Sequence, residues 1–274
     1  MRLRNETTRV LRAGVSGPPI VFIHGPAGSA DRWAFNLHSF ARAGYRALAF
    51  DLPGHGHASK TAESPISISD NAAVLDDFLS HLTQPAILVG ASTGAHIAAH
   101  YASNRPDRVK ALILVSGGGA IPLGADQRER LRLLTVYRSR EGARERLRRS
   151  FFDARLAAGD IVELEHRMNT SPGAHDYLSA LGRYIADNID NALPGTRLRD
   201  MARTMPVLFV WGHEDRILPM SFGRESQSFV GGLSRFFSIE QAAHAPYFER
   251  PGAFNQALLS FLRDGKGRPE VPHR

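Results

Sequence analysis

Ala86-Ile87-Leu88-Val89-Gly90-Ala91-Ser92-Thr93-Gly94 is the stretch from which the rest of the chain is read. Four apolar residues form a short buried strand that runs straight into G-x-S-x-G, and a helical pattern follows over 93–103. So tight a turn needs small residues on both sides of the serine. It holds the side chain exposed above the sheet with a helix N-terminus behind it. A helix N-cap serine is the plainer reading of such a residue, but it does not account for glycine on both sides. Ser92 is therefore the candidate nucleophile.

A serine hydroxyl is a weak nucleophile at neutral pH and needs an adjacent base, which in turn needs an orienting acid. The strand-like run Val207-Leu208-Phe209-Val210-Trp211 leads into Gly212-His213-Glu214-Asp215-Arg216, which makes Asp215 the candidate acid and Glu214 its runner-up. The turn Ser116-Gly117-Gly118-Gly119 after the preceding strand offers no carboxylate. Among twelve histidines, His244 in Ala242-Ala243-His244-Ala245-Pro246 lies in a late loop ahead of a closing helix and is the candidate base. His96, one helical turn past Ser92, reads as a satisfied helix residue. Oxyanion stabilisation needs backbone donors. The Thr93 N–H is one candidate, and the second falls to the loop His24-Gly25-Pro26-Ala27-Gly28-Ser29, where Pro26 has no N–H to give.

Outward from these motifs, strand-like runs at 8–11, 20–24, 45–50, 86–90, 111–116, 207–211 and 235–238 alternate with helical patterns at 31–43, 67–82, 93–103, 220–229 and 251–262. That alternation predicts an α/β fold with a mostly parallel sheet covered by helices on both faces. It lapses over 121–205, a polar, arginine-rich stretch of helical pattern broken at Gly159, Ser171-Pro172-Gly173 and Leu193-Pro194-Gly195. The expectation is a core at 1–120 and 206–274 with a helical lid inserted at 121–205, between the sixth and seventh core strands. The tail 264–274 carries Gly, Pro and charge and reads as frayed.

With 274 residues, 43% hydrophobic and 22% charged, the chain has the composition of a soluble globular enzyme. No apolar run approaches the roughly 18 residues that cross a bilayer, and the first residues lack the apolar stretch of a secretory signal. The absence of cysteine removes disulfides and thiolate chemistry and fits a cytoplasmic protein. Net charge is +7, and ten arginines between 128 and 155 face only Glu129, Glu141, Glu145 and Asp153. Without an aromatic-interleaved basic strand or a recognition helix, this reads as a solvated helical face and not as a nucleic-acid surface. No metal-ligand spacing of the H-E-x-x-H kind occurs, so no metal or cofactor is expected.

Taken together, His24-Gly25, Asp51-Leu52-Pro53-Gly54-His55-Gly56, the Ser92 turn, Trp211-Gly212-His213-Glu214-Asp215 and His244-Ala245-Pro246 with Glu249, Pro251 and Phe254-Asn255 resemble the α/β-hydrolase superfamily over nearly the whole chain. Within it, the chain looks most like the lidded branch of meta-cleavage-product hydrolases, lactonases and esterases. The resemblance implies structural roles for His24, Asp51 and His55, a small-molecule substrate, and by analogy a homodimer. It also places Arg167 where that branch carries an arginine that binds the substrate carboxylate. Three positions depart from the branch: Ala91 stands for its usual Asn, Ala245 for an aromatic, and Pro26 for the oxyanion donor. Either Ala27 donates from a shifted loop or Thr93 acts alone.

The leading expectation is a Ser-His-Asp hydrolase of a small ester, lactone or thioester. The alternatives are hydrolysis of a C–C bond in a vinylogous diketo acid and a low-turnover ligand-binding relative.

Overall fold

The computed structural model describes residues 1–137 and 139–264; the expected frayed tail, beyond Asp264, and Arg138 of the arginine-rich stretch lie outside them. The chain opens with β1 (Arg2–Leu3) and β2 (Glu6–Thr7), which pair only with each other. Then come β3 (Val10–Ala13), β4 (Pro19–Ile23), α1 (Ala34–Arg42), β5 (Arg46–Phe50), α2 (Ile68–Ser80), β6 (Ala86–Ala91), α3 (Thr93–Asn104) and β7 (Val109–Val115). Five helices follow: α4 (Ala125–Leu133), α5 (Arg140–Ser150), α6 (Asp160–Asn169), α7 (Ala174–Asp187) and α8 (Thr196–Met201). The chain ends in β8 (Val207–Gly212), α9 (Met220–Val230), β9 (Ser234–Ile239), α10 (Pro246–Glu249) and α11 (Pro251–Arg263).

Strands β3 to β9 form one sheet in the order β3-β5-β4-β6-β7-β8-β9, with only the edge strand β3 antiparallel. β4, β6 and β8 are buried along their whole length. That is why they read as continuous apolar runs and not as alternating ones. Because the sheet is parallel, the loops after β4, β6 and β8 all emerge at its C-terminal edge, where such folds build their sites.

Three expectations need adjustment. The first strand lies at Val10–Ala13 and not at 8–11, because Thr8 is drawn into the preceding turn: its N–H donates to Met1 O and its hydroxyl to Asp51 O. The helix expected over 31–43 starts as a 3-10 turn, Ala30–Trp33, before α1. The helical stretch 121–205 contains no strand among its described residues, but it leaves the fifth strand of the large sheet and returns at the sixth, one strand earlier than expected. Among the described residues, no helix is long and apolar enough to cross a membrane.

Candidate active site

Ser92 sits between β6 and α3 with φ 55° and ψ −120°, a conformation that costs a non-glycine residue on the order of 1–3 kcal/mol. Its neighbours leave no alternative. A Cβ on Gly90 would collide with the carbonyl of Gly94, and one on Gly94 would lie 2.5 Å from the carbonyl oxygens of His24 and Ile23. The Ser92 N–H donates to Val115 O at 3.0 Å, which ties the turn to β7. The sequence pattern is thus a steric requirement of a turn wedged between β4 and β7.

His244 Nε2 stands 3.1 Å from Ser92 Oγ, and its Nδ1 stands 2.9 Å from Asp215 Oδ2. All three side chains are buried. The other oxygen of Asp215 accepts the N–H groups of Ile217 at 2.9 Å and Leu218 at 3.0 Å, so the carboxylate is aimed by its own loop. In this geometry Nδ1–H donates to Asp215, which leaves Nε2 free to accept the serine proton. Glu214, the runner-up acid, instead accepts the Ala242 N–H at 3.0 Å and braces the histidine loop. Glu249 grips that loop from behind, accepting the Ala243 N–H at 2.8 Å with one oxygen and the Phe152 N–H at 2.6 Å with the other. Burial pushes its pKa up against these hydrogen bonds.

His24, Asp51 and His55 hold the walls. His24 Nδ1 donates to Gly25 O at 2.7 Å, and Nε2 accepts the Leu52 N–H at 3.0 Å. Burial keeps His24 below the ordinary histidine pKa and pushes His55 down to about 3. Asp51 accepts the N–H groups of Ala30 at 2.7 Å and His57 at 2.9 Å. Burial alone would raise its pKa, but Arg9 and these donors hold it low. His96 departs from the expectation of a satisfied helix residue. Packed on α3 against the glycines after β7, it has no hydrogen bond of good geometry at either ring nitrogen among the described residues, and burial pushes it down to about 4.

The loop after β4 makes a turn in which the Gly28 N–H donates to Gly25 O at 3.2 Å and Ala27 takes φ 52°, the arrangement of a type II turn with proline at its second position. Its two central carbonyls are held by the helical segment: Arg146 Nη2 donates to Pro26 O at 2.7 Å and Asn169 Nδ2 to Ala27 O at 2.9 Å. Pro26 lines the cavity beside Ser92, whereas Ala27 does not. Thr93 opens α3 directly behind the nucleophile, where the helix provides no acceptor for its N–H.

The cavity is narrow, about 30 Å³, room for about one water-sized group. Gly25, Pro26, Arg32, Ser92, Arg146 and His244 are among its walls. Arg167 is not. Its side chain is 77% exposed and paired with Glu163 at 2.5 Å. The inward face of α6 carries Val162, Glu165, Met168 and Asn169, and two residues past Glu165 is about 200° round the helix. The expected carboxylate-binding position therefore points to solvent.

Sequence reasoning missed a cluster on the inner side of that helix. Glu165 is buried between Arg32 and Arg146, with Arg146 Nη1 at 2.5 Å. Arg146 belongs to the arginine-rich stretch expected to be a solvated face, yet it is only 7% exposed. The spacing of Ala143, Arg146, Leu147 and Ser150 places it on the apolar stripe of α5, a signal hidden by the surrounding arginines. Ser150 O accepts the His244 N–H at 2.9 Å, so the same helix touches the candidate base. Among the described residues, no group of three or more His, Cys, Asp or Glu side chains could hold a metal.

Known proteins share this framework. The chain is 29% identical over 262 residues to a 2-hydroxy-6-oxononadienedioate/2-hydroxy-6-oxononatrienedioate hydrolase of Paraburkholderia phymatum, covering 91% of this chain and 88% of that one. It is also 29% identical over 256 residues to the dihydrolipoyllysine-residue acetyltransferase component of the acetoin cleaving system of Pseudomonas putida, covering 91% of this chain but only 65% of that component. Among solved structures, the meta-cleavage product hydrolase CumD of Pseudomonas fluorescens IP01 superposes with a TM-score of 0.82 at 20% identity, over 96% of this chain and 97% of that one. Residues 18–251 match the family described by the alpha/beta hydrolase fold, and the chain belongs to that family of hydrolases.

Proposed function

We propose that the chain is a serine hydrolase that opens a small carboxylic ester, lactone or thioester through an acyl-enzyme, without a cofactor, beneath a helical lid formed by residues 121–205. The observation that carries this reading is the unbroken line Asp215–His244–Ser92, with spacings of 2.9 and 3.1 Å, ending on a strained turn inside a cavity. As Ser92 Oγ bonds to the carbonyl carbon, its proton passes to His244 Nε2. The imidazolium then gives that proton to the departing oxygen or sulfur as its bond to carbon breaks. Water, deprotonated by His244, attacks the acyl-enzyme and releases the acid and Ser92. Asp215 holds the ring and balances its positive charge. The Thr93 N–H supports the developing oxyanion; Pro26 has no N–H to add, and Ala27, which does not line the cavity, becomes a second donor only through a shift of its loop.

Cleavage of a C–C bond in a vinylogous diketo acid is the second reading. It is favoured by the 29% identity to a 2-hydroxy-6-oxononadienedioate hydrolase across 91% of this chain.

Turnover of p-nitrophenyl acetate and of a ring-fission dienoate, followed side by side with wild type and Ser92→Ala, decides between them. The expected result is an ester burst in wild type and a loss of at least about 10⁴-fold in kcat for Ser92→Ala. Turnover of the dienoate alone replaces the first reading by the second. Turnover of neither, with tight binding of the dienoate, leaves a ligand-binding relative.

A further inference from the structure

Two guanidinium groups meet one carboxylate beside Ser92. Each nitrogen of Arg146 has a partner: Nη1 pairs with Glu165, Nε donates to Leu134 O at 2.7 Å and Nη2 to Pro26 O at 2.7 Å. Arg32 differs. Its side chain is 8% exposed and lies near the rings of Phe151 and Phe248, at 5.4 and 5.5 Å from their centroids. One terminal nitrogen pairs with Glu165, while Nη1 is buried without a hydrogen-bond partner among the described residues. Both arginines line the same cavity as Ser92 and His244.

A buried guanidinium donor normally has an acceptor, and a buried charge normally has a counter-charge. Glu165 pairs with both cations and leaves one open planar donor on Arg32. The complement of that donor is an anionic oxygen. A carboxylate matches the fork geometry of a guanidinium.

We infer that Arg32 Nη1 receives a carboxylate that the substrate carries within a few atoms of its scissile carbonyl. The enzyme therefore prefers half-esters of short dicarboxylic acids to neutral esters of the same length. This inference rests on the hydrolase reading above, and it moves anion recognition from the lid's outer face, at Arg167, to the inner wall, at Arg32.

Monomethyl succinate and methyl butyrate have nearly the same shape and differ in one charge. Titrimetric assays should give a kcat/KM ratio in favour of the half-ester of about tenfold or more, the scale of one charge-assisted hydrogen bond. Arg32→Met should bring that ratio close to one, and Arg32→Lys should restore part of it. Because Arg32→Met leaves Glu165 with one partner fewer, Arg32→Met/Glu165→Gln is assayed beside it, with thermal melts of every variant. Succinate titrated calorimetrically into Ser92→Ala should bind saturably, at least about tenfold more tightly than into Ser92→Ala/Arg32→Met.

Labelling of Ser92 by a fluorophosphonate separates the two ways of failing. An unlabelled Ser92 and two inert esters defeat the hydrolase reading, while the succinate titration still decides the anion site. A reactive Ser92, equal rates on the two esters and no succinate binding overturn the inference and leave the hydrolase reading intact. An equal loss on both esters in Arg32→Met also overturns it, because the guanidinium would then be serving the charge common to every ester's transition state.

Discussion

The two loops that flank Ser92 are held in opposite ways. The acid loop, from Gly212 to Leu218, is self-contained: Asp215 is fixed by the N–H groups of Ile217 and Leu218, and Trp211 Nε1 donates to Leu218 O at 2.8 Å. The loop from His24 to Gly28 depends on partners more than 100 residues away, since Arg146 and Asn169 hold the carbonyls of Pro26 and Ala27. One side of the site is built by local backbone and the other by side chains reaching across from helices α5 and α6. The first should therefore keep its shape when those helices are perturbed, and the second should not.

The acid loop offers the largest expected effect. Asp215→Asn retains an oxygen for Ile217 and Leu218, so the thermal midpoint should stay close to that of wild type. The amide cannot orient and balance His244 as the carboxylate does, and kcat should fall by about 10⁴. Steady-state kinetics beside a circular-dichroism melt checks both halves. A loss under a hundredfold would mean that another carboxylate serves His244, and the acid loop would lose its self-contained character.

Arg146→Met attacks the other side. It removes a buried partner from Glu165 and a donor from Pro26 O. Breaking a buried ion pair costs on the order of 3–5 kcal/mol, and the lower end, about 3 kcal/mol, applies here because Arg32 stays on Glu165. Freed of its anchor, the Pro26 turn should drift, and a displacement of about an ångström at a reacting centre costs on the order of 10² in rate. Urea unfolding and ester kinetics measure the two effects. Lost stability with unchanged kcat would show that α5 does not hold the loop beside Ser92, and the contrast between the loops would collapse.

The same contrast explains what was legible in the sequence. The seven sheet strands and the three triad candidates come from short contiguous motifs whose meaning is steric. Gly90 and Gly94 are required by carbonyls close to where their Cβ atoms would lie, and β4, β6 and β8 are apolar throughout because both faces are covered. The Arg32–Glu165–Arg146 cluster joins residues separated by up to 133 positions along the chain, and no local pattern announces it. Position in a motif does not say which way a helix turns, and Arg167 faces solvent on α6, paired with Glu163. The buried stripe of α6, through Glu165 and Asn169, was the better guide. The hairpin of β1 and β2, four paired residues in all, is too short to leave a periodic signal.

The smallest expected effect concerns acid. The histidines that burial holds below their ordinary pKa, His24, His55 and His96, all lie outside the helical stretch 121–205. For a base whose folded-state pKa is depressed, the unfolded chain binds the proton first. Stability is therefore complete above the unfolded pKa, near 6.5, and is lost as pH falls toward the folded value. His96, with a folded pKa of about 4, should thus withdraw about 2 kcal/mol between pH 6.5 and pH 5, at 1.36 kcal/mol per pH unit. His96→Leu deletes that contribution and has no hydrogen bond of good geometry to break. Its unfolding free energy, measured by urea titration from pH 7 to pH 5, should fall less steeply than that of wild type by about that amount. Parallel curves would mean that His96 finds a partner or water when protonated. The acid sensitivity would then rest on His24 and His55, which brace the loops after β4 and β5.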